Sequence, residues 1–409
     1  MDARREARAR ESSEPQAPIV YVRGDGVNVV DADENRYVDI AAGFGALLLG
    51  HRPDCVARAV DRQRERLWLA LGDVYASDAK LAICERLAKL HPGGDGRVML
   101  GSSGADAVTA ALKTAVLATR RAGVIAFEGS YHGLAHGPLA ACGLRPAFRE
   151  PFAAQLNPWV TFAPYPGDEA SLAETMRQVK KAFSRGNVGA VIVEPILGRG
   201  GCVVPPPGFL PGLRAECDAA GALLVCDEIW TGLGRSGSWL ASAEDGVVAD
   251  VICLGKGLGG GFPISACIGT ERAMAAWGSH GGATVHTGTH FGAPWVCAAA
   301  SAVLDAIADR SLVERSRAAG ARFRRAIEEH TLGRGVTCVT GRGLMIGVAL
   351  TGGAPRALIV MRRLLEAGWI VLTGGAAGDV LTLTPPLDIS EELLAAFAVT
   401  LGAVLAATP

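Results

Sequence analysis

The sequence predicts an α/β fold, in which a large domain holds a mostly parallel central sheet and both ends of the chain form a smaller α+β domain. From about residue 55, short runs of Val, Ile and Leu alternate with helical segments. Such runs are typical of strands that are buried on both faces. Several unusual polar clusters directly follow these runs. Because open α/β sheets bind ligands at the carboxyl ends of their strands, we expect one site in the large domain.

Four segments divide the 409 residues. Residues 1–18 are charged and have no apolar stretch, so we interpret them as a disordered lead-in rather than a secretory signal. Residues 19–54 form the N-terminal part of the small domain, with an antiparallel hairpin or meander around the DADEN turn. Residues 55–300 are assigned to the large domain and 301–409 to the C-terminal small domain.

Periodicity predicts the individual elements. The predicted strands cover 97–100, 124–127, 188–193, 222–226 and 251–254, with strand-like VTCVTGRGLMIGVAL and WIVLT nearer the C-terminus. The predicted helices cover 79–90, 105–119, 213–220, 355–367 and 391–406, and a further long helix begins at Ser301.

Composition narrows the classes of partner. The chain carries 40 basic and 41 acidic side chains, a balance that argues against nucleic acid or an anionic membrane. It is 49% hydrophobic but has no run of eighteen apolar residues, so the excess indicates a large core and a buried subunit interface. The ten cysteines form no CxxC pair. They indicate core thiols of a reducing compartment, without a metal site, and the cytoplasm is the expected location.

Lys256 lies between two glycines directly after an apolar strand, in ICLGKGLGGG. Glycines allow a ligand to approach the backbone closely, and a lysine in a water-poor place has a lowered pKa and becomes a nucleophilic amine. The alternative is a surface lysine in a flexible loop. The segment is not a Walker A loop, because the GxxxxGK[ST] spacing is absent.

Asp227 follows the apolar strand ALLVC, where a carboxylate is costly unless it meets a cation. A protonated pyridine nitrogen is such a cation, and its protonation makes the ring an electron sink. The alternative is that Asp227 caps the following turn.

Two further clusters follow strands. In GSSGADAV, the backbone N–H groups of Ser103, Gly104 and Ala105 would form an anion site for a phosphate at a helix start; Ser103 is also a good N-cap, and both interpretations can hold. Tyr131 and His132 follow another strand. Tyr131 could stack on a planar cofactor, or simply pack on its loop.

These runs resemble the class III aminotransferases, pyridoxal phosphate enzymes of fold type I. The most specific match is VCDEIWTGLGRSGSWLASAEDGVVADVICLGKGLGGGFPISA, and FEGSYHG, VEPILGRGGCVVPPPGFLPGLR, TGTHFGAPWVCAAA and LTPPLDIS follow the same order. The resemblance covers nearly the whole chain from about Ile19. In style the chain is similar to the ornithine, acetylornithine and 4-aminobutyrate aminotransferases.

The resemblance implies a role for each matching residue. Lys256 would form the Schiff base with pyridoxal 5'-phosphate and move the proton, and Asp227 would hold the pyridinium nitrogen. The remaining cofactor contacts would come from Ser103, Gly104 and Ala105 at the phosphate, Tyr131 and Ile229 on the two ring faces, and His132 and Glu194 nearby. Thr289 would reach the phosphate of the neighbouring subunit's cofactor, which implies a homodimer.

The sequence departs from the family at the substrate side. The family members that use glutamate usually have Arg where this chain has Leu134 and Thr382, Glu in place of Arg199, and often Gln in place of Trp230. Losing both arginines removes two bidentate carboxylate anchors, and losing the Glu avoids leaving it buried without a cation. We hypothesise that Arg199 is the new carboxylate anchor. Alternatively, Arg199 points to solvent and Arg235, Arg342 or a residue of the partner chain takes that role.

The predicted reaction moves an amino group from an amine or amino acid to a keto acid or aldehyde. The missing arginine at Thr382 favours an omega-type or simple amine, and Phe44, Leu134 and Trp230 are expected to shape the pocket. Racemisation, epimerisation or a 1,2-amino shift on the same scaffold stays an alternative. Retention of Lys256 and Asp227 argues against a binding protein without activity, and the absence of GxGxxG after a first βαβ strand excludes a nicotinamide dehydrogenase.

Overall fold

The computed structural model describes residues 19–94, 96–278 and 283–408. Its strands are β1 (Tyr21–Asp25), β2 (Asn28–Asp31), β3 (Arg36–Asp39), β4 (Arg97–Gly101), β5 (Gly123–Phe127), β6 (Val160–Ala163), β7 (Val188–Val193), β8 (Leu223–Asp227), β9 (Val251–Leu254), β10 (Ser265–Gly269), β11 (Val336–Arg342), β12 (Met345–Leu350), β13 (Trp369–Ile370), β14 (Leu372–Gly374) and β15 (Val380–Leu383).

The helices are α1 (Ala42–Gly45), α2 (Asp54–Arg64), α3 (Asp78–Lys89), α4 (Gly104–Thr119), α5 (His136–Ala140), α6 (Glu169–Phe183), α7 (Phe209–Ala220), α8 (Ala241–Glu244), α9 (Glu271–Met274), α10 (Pro294–Asp309), α11 (Leu312–Thr331), α12 (Gly353–Glu366) and α13 (Glu391–Ala406). Short 3₁₀ turns occupy Pro146–Phe148, Glu150–Gln155, Lys256–Gly259 and Ala275–Gly278.

The central sheet has seven strands in the order β4-β10-β9-β8-β7-β5-β6. Strand β10 runs antiparallel to both of its neighbours, and the pairs from β9 to β6 are parallel. Every residue of β5, β7, β8 and β9 is buried, which explains why these strands are continuous apolar runs in the sequence. The predicted α/β class with a mostly parallel sheet is confirmed.

The parallel strands bring the polar clusters to one edge of the sheet. Asp227 is the last residue of β8, Glu194 follows β7 directly, and Lys256 lies two residues beyond β9. The loop that carries Tyr131 follows β5. The carboxyl ends of adjacent parallel strands therefore gather these four segments.

Two smaller sheets flank this domain. The first has the order β1-β2-β3-β13 and the second β11-β12-β15-β14. Strand β13 pairs in parallel with β3, Trp369 opposite Val38, so the first of these sheets joins segments from both ends of the chain. The predicted domain limits at residues 54 and 300 stay a prediction, and the predicted lead-in at 1–18 lies outside the described residues.

The predicted elements omit strand β6 and helices α2 and α6, and three further details were wrong. Strand β10 was missed, because its SACIG segment follows a glycine-rich loop and is only five residues long. The long helix does not begin at Ser301: α10 and α11 are separate helices, and Ser311 between them has a left-handed φ of +48°. The WIVLT run is divided between β13 and β14, which belong to different sheets. No helix in the described part of the chain is long and apolar enough to cross a membrane.

Candidate active site

Lys256 begins the 3₁₀ turn that follows β9, and its backbone adopts a left-handed φ of +40°. Such a conformation is strained for a residue other than glycine and is common at functional sites. A Cβ at Gly255 would lie 3.4 Å from Ile229 Cγ2 and 3.5 Å from Gly104 Cα. The lysine loop therefore packs closely against the segments that follow β8 and begin α4.

The Lys256 amine lies in a water-poor environment. Burial lowers the pKa of Lys256 to about 8, an effect that the charges of Asp227 and Glu194 oppose and that Arg199 and Arg235 reinforce. At pH 7 roughly a tenth of the amine is therefore unprotonated, far more than for an ordinary lysine, and this is the form that attacks a carbonyl carbon. The alternative interpretation, a surface lysine in a flexible loop, does not fit this buried amine.

Asp227 is buried, and His132 orients it. The distance between Asp227 Oδ2 and His132 Nδ1 is 2.7 Å, and Asp227 Oδ1 accepts a hydrogen bond from the Ile229 backbone N–H at 3.1 Å. His132 is buried as well, and its Nε2 has no hydrogen-bond partner among the described residues. Asp227 thus has one oxygen fixed by an imidazole, and Oδ1 retains acceptor capacity for a further cationic donor.

The start of α4 is closed by a capping box. Ser103 Oγ accepts a hydrogen bond from the Asp106 N–H at 3.3 Å, and Asp106 Oδ2 accepts from the N–H groups of Ser103 at 2.9 Å and Ser102 at 3.1 Å. This capping box occupies the Ser103 N–H, which was predicted to contact the phosphate, and leaves the N–H groups of Gly104 and Ala105 at the open end of the helix. A Cβ at Gly104 would lie 2.8 Å from Ile229 Cδ1, so only glycine allows this close approach.

Glu194 links the Tyr131 loop to the turn that carries Arg199. Its Oε1 accepts from the Tyr131 N–H at 2.6 Å and its Oε2 from the Gly198 N–H at 2.9 Å. Burial raises the pKa of Glu194 to about 7, with a further contribution from the Asp227 charge, while His132 and the two N–H groups oppose the shift. Glu194 therefore holds both loops in register rather than pointing to solvent.

Arg199 does not extend into solvent. Its guanidinium lies 4.7 Å from the centre of the Tyr131 ring, and its carbonyl accepts a hydrogen bond from the Gly375 N–H at 2.8 Å. Arg199 forms no ion pair with any acidic side chain among the described residues. It is a half-buried cation with an aromatic support and free donor capacity.

Trp230 is buried, and its ring centre lies 4.2 Å from Lys256 Nζ. Two glycines, neither of which was predicted to belong to the site, pack against the Trp230 ring. A Cβ at Gly45 would lie 2.1 Å from Trp230 Nε1, and one at Gly198 would lie 2.3 Å from Cε3. No local sequence pattern indicated this contact, because Gly45, Gly198 and Trp230 lie far apart along the chain.

The other substrate-side residues lie around this cluster. Phe44 and Leu134 are exposed, 54% and 46%, and Phe44 adjoins the glycine that contacts Trp230. Thr382 is buried, and its Oγ1 has no partner among the described residues. A Cβ at Gly374 would lie 2.5 Å from that oxygen and 3.4 Å from the Arg199 carbonyl. Thr382 therefore lies close to the Arg199 backbone.

Three residues lie apart from the Lys256 cluster. Thr289 is exposed on the loop before α10, and no hydrogen bond among the described residues joins it to the cluster. Arg235 is fully buried and donates from Nη1 to the carbonyls of Leu344 at 2.9 Å and Pro385 at 2.5 Å. Arg342 approaches Glu244 and Asp245 at 3.7 and 3.9 Å. Arg342 is thus engaged with acidic groups of its own chain, whereas Arg235 Nε and Nη2 have no hydrogen-bond partner among the described residues, and Arg235 stays an alternative to Arg199.

Comparison with known proteins identifies the family. The model of the class III aminotransferases matches residues 9–405. The acetylornithine aminotransferase of Mycobacterium tuberculosis is 39% identical over 395 residues, covering 95% of this chain and 92% of that protein.

Two solved structures agree with the family assignment. An amine transaminase from an uncultivated Pseudomonas species, solved with its cofactor, has a TM-score of 0.91 and 28% identity, with 98% of this chain and 97% of that chain covered. The ornithine aminotransferase of Toxoplasma gondii has a TM-score of 0.87 and 30% identity, with coverage of 98% and 94%.

The fold and the lysine–carboxylate arrangement define an enzyme of fold type I. The chain belongs to the class III aminotransferases. Family membership confirms the predicted amino-group transfer and the predicted cofactor, pyridoxal phosphate.

Proposed function

We propose that this aminotransferase carries pyridoxal phosphate on Lys256 and takes its amino group from a simple amine or the distal amino group of a longer one. The attachment of the cofactor to Lys256 is supported by one observation. The Lys256 amine is buried, has a pKa of about 8 and is affected by the charge of the buried Asp227 carboxylate. The rest of the cluster supports each contact that such a cofactor requires.

The residues present fit the cofactor. Gly104 and Gly255 approach each other closely without side chains, and the free N–H groups at the start of α4 suit a phosphate. Asp227 has acceptor capacity left for a protonated ring nitrogen. When bound, pyridoxal phosphate supplies a carbonyl that condenses with an amine and a ring that accepts electrons.

The protein's own groups then have distinct tasks. Asp227 would keep the ring nitrogen of the bound cofactor protonated, and the contact of 2.7 Å between His132 Nδ1 and Asp227 Oδ2 fixes the orientation of the carboxylate. The Lys256 amine, when it is not covalently engaged, would take the proton from the substrate carbon that bears the transferred amino group and hold it on Nζ. Tyr131 and Ile229 would cover the two faces of the ring, and Glu194 keeps the Tyr131 loop in place.

The substrate side supports the choice of donor. The positions that hold carboxylate-binding arginines in glutamate-using members are Leu134 and Thr382, which have no charge. Arg199 is a half-buried cation without an ion pair among the described residues, and Trp230 and Phe44 add apolar surface. A donor without a carboxylate leaves no anion unpaired at Leu134 and Thr382, whereas a dicarboxylate amino acid would.

A half-reaction screen tests this function. The purified holoenzyme is mixed with single donors, without acceptor, and the absorbance of the bound cofactor is followed. We expect simple amines and omega-amino compounds to convert it fully to its amine form, and glutamate to react far more slowly. Conversion by glutamate at the highest rate would overturn the donor assignment. Return of the spectrum with racemised donor would favour the racemase or aminomutase alternative.

Arg199 is proposed as the anchor for the carboxylate of the keto acid acceptor. We expect Arg199→Ala to raise the KM of a keto acid about 10- to 100-fold, because a charge-assisted hydrogen bond is lost. The rate with a simple amine donor should change less than about twofold, since that donor makes no such bond. Steady-state kinetics with Arg342→Ala as control measures both, and an unchanged KM for the acid would contradict the anchor.

We also propose that the active unit is a homodimer in the cytoplasm. The segment 67–75 exposes six large apolar side chains, Leu67, Trp68, Leu69, Leu71, Val74 and Tyr75, a patch of the kind that marks protein interfaces. Asp73 in this segment accepts a hydrogen bond from Thr287, two residues before Thr289, which supports a role for Thr289 at the partner's cofactor. The ten free cysteines are consistent with a reducing compartment.

The double substitution Trp68→Glu and Tyr75→Glu should convert the dimer to monomers, because buried charges without partners are costly at an interface. Sedimentation velocity measures the mass, and circular dichroism checks the fold. Trp159→Glu is the matched control, since Trp159 is also 60% exposed but lies in another part of the chain. A double variant that stays a fully active dimer would contradict the assignment.

A further inference from the structure

The indole of Trp230 is held in a fixed position. Glycines from two separate segments close on it, with no space for a Cβ at Gly45 or Gly198. Below it lies a small apolar cluster formed by Ile196, Cys202, Ala241 and Met345. The two glycines pack against the indole, and the apolar cluster surrounds it. The ring therefore keeps one orientation.

One face of this ring is directed at the Lys256 ammonium. The distance from Nζ to the ring centre is 4.2 Å, well within the range of a cation–π interaction, and tryptophan is the strongest aromatic partner. The strained left-handed backbone of Lys256, with φ of +40°, starts the side chain from an equally fixed point. Both ends of the contact are thus constrained by the fold.

We propose that Trp230 is a positioning residue that holds the side chain of Lys256 at the reaction centre whenever its amine is not covalently engaged. The inference rests on the proposed role of Lys256. In a transamination cycle the lysine is released and must return to the same place. The indole face can hold the protonated amine in place, and among the described residues no carboxylate forms an ion pair with it that would hold its proton more tightly.

The charged groups around the amine define what Trp230 adds. Asp227 and Glu194 favour the ammonium, while Arg199, Arg235 and above all burial disfavour it. His132 Nδ1 lies 2.7 Å from Asp227 Oδ2 and is the titratable group in contact with that carboxylate. The ring's negative face also favours the ammonium, so weakening that face should lower the pKa of the amine.

Fluorinated tryptophans test this without changing shape, because each fluorine reduces the negative charge on the ring face. The full-length chain is stripped of cofactor. The rate at which Lys256 is reductively methylated by formaldehyde, with a borane complex as the hydride donor, is then followed against pH by peptide mass spectrometry. We expect a midpoint near 8 in the natural chain. It should fall stepwise, by about half a unit in total, as mono-, di- and trifluorotryptophan are incorporated.

The matched control is Trp230→Phe, made with the same fluorotryptophans. The other six of the chain's seven tryptophans are then labelled, and the midpoint should not move with fluorination. A midpoint that stays constant in the fluorinated natural chain would overturn the proposal, and so would one that moves equally in the control. Portions of each protein that have not been methylated are treated with pyridoxal phosphate and borohydride. They show separately whether Lys256 binds the cofactor covalently.

Discussion

Replacement of Lys256 by alanine should abolish transamination while the chain still folds and still binds pyridoxal phosphate without a covalent link. Proton transfer by a positioned group contributes about 10²–10⁴-fold to a rate, and the variant also loses its nucleophilic amine. We therefore expect a fall of at least about 10³-fold in the donor half-reaction. Stopped-flow absorbance of the bound cofactor measures it.

Lys181→Ala is the control for this experiment. Lys181 is exposed on α6, away from the strand ends that form the site, so its loss should leave the rate unchanged. Since burial disfavours the Lys256 ammonium more than the nearby carboxylates favour it, its replacement should not greatly lower the free energy of unfolding. A Lys256→Ala enzyme that keeps a tenth of the natural rate would contradict the assignment.

Replacement of Asp227 by asparagine should produce the second largest effect. The amide keeps the size of the side chain and an oxygen that can face His132, but it removes the negative charge. Loss of a preorganised electrostatic partner costs about 10²–10³-fold in rate. We expect that fall in the proton-transfer step, while covalent attachment of the cofactor to Lys256 persists, as borohydride reduction would show.

Glu228→Gln is the matched control, because Glu228 is the adjacent buried carboxylate. It accepts hydrogen bonds from the N–H groups of Ala241 and Ser242 and from the Thr231 and Ser242 hydroxyls. We expect Glu228→Gln to lower the free energy of unfolding by about 1–3 kcal/mol without slowing the folded enzyme. If Asp227→Asn slows the reaction no more than Glu228→Gln does, Asp227 does not act on the cofactor.

The segments proposed to bind the cofactor could be predicted from the sequence, because each is a short continuous pattern. GSSGAD opens a helix, Asp227 ends a strand, and Lys256 stands among glycines, so each segment carries its own signal. The parallel sheet then brings strand ends together, as the pattern of apolar runs predicted. The family resemblance added roles that the spacing alone left open.

The substrate half could not be read in the same way. The stacking of Arg199 on Tyr131 and of Trp230 on Lys256 depends on side-chain directions across segments that are far apart in the chain. The two glycines that admit the indole come from α1 and from the turn after β7. Strand β10 was missed for a related reason, since its place is set by pairing with β4 and β9 rather than by its five residues.

The most direct test of the central claim is the location of the covalently bound cofactor. The holoenzyme is reduced with borohydride and digested, and the phosphopyridoxyl group is located by peptide mass spectrometry. The chain has six lysines, Lys80, Lys89, Lys113, Lys180, Lys181 and Lys256. We predict that the label is found on Lys256 alone, at close to one per chain. A stoichiometric label on any of the other five, with Lys256 unmodified, would contradict the account.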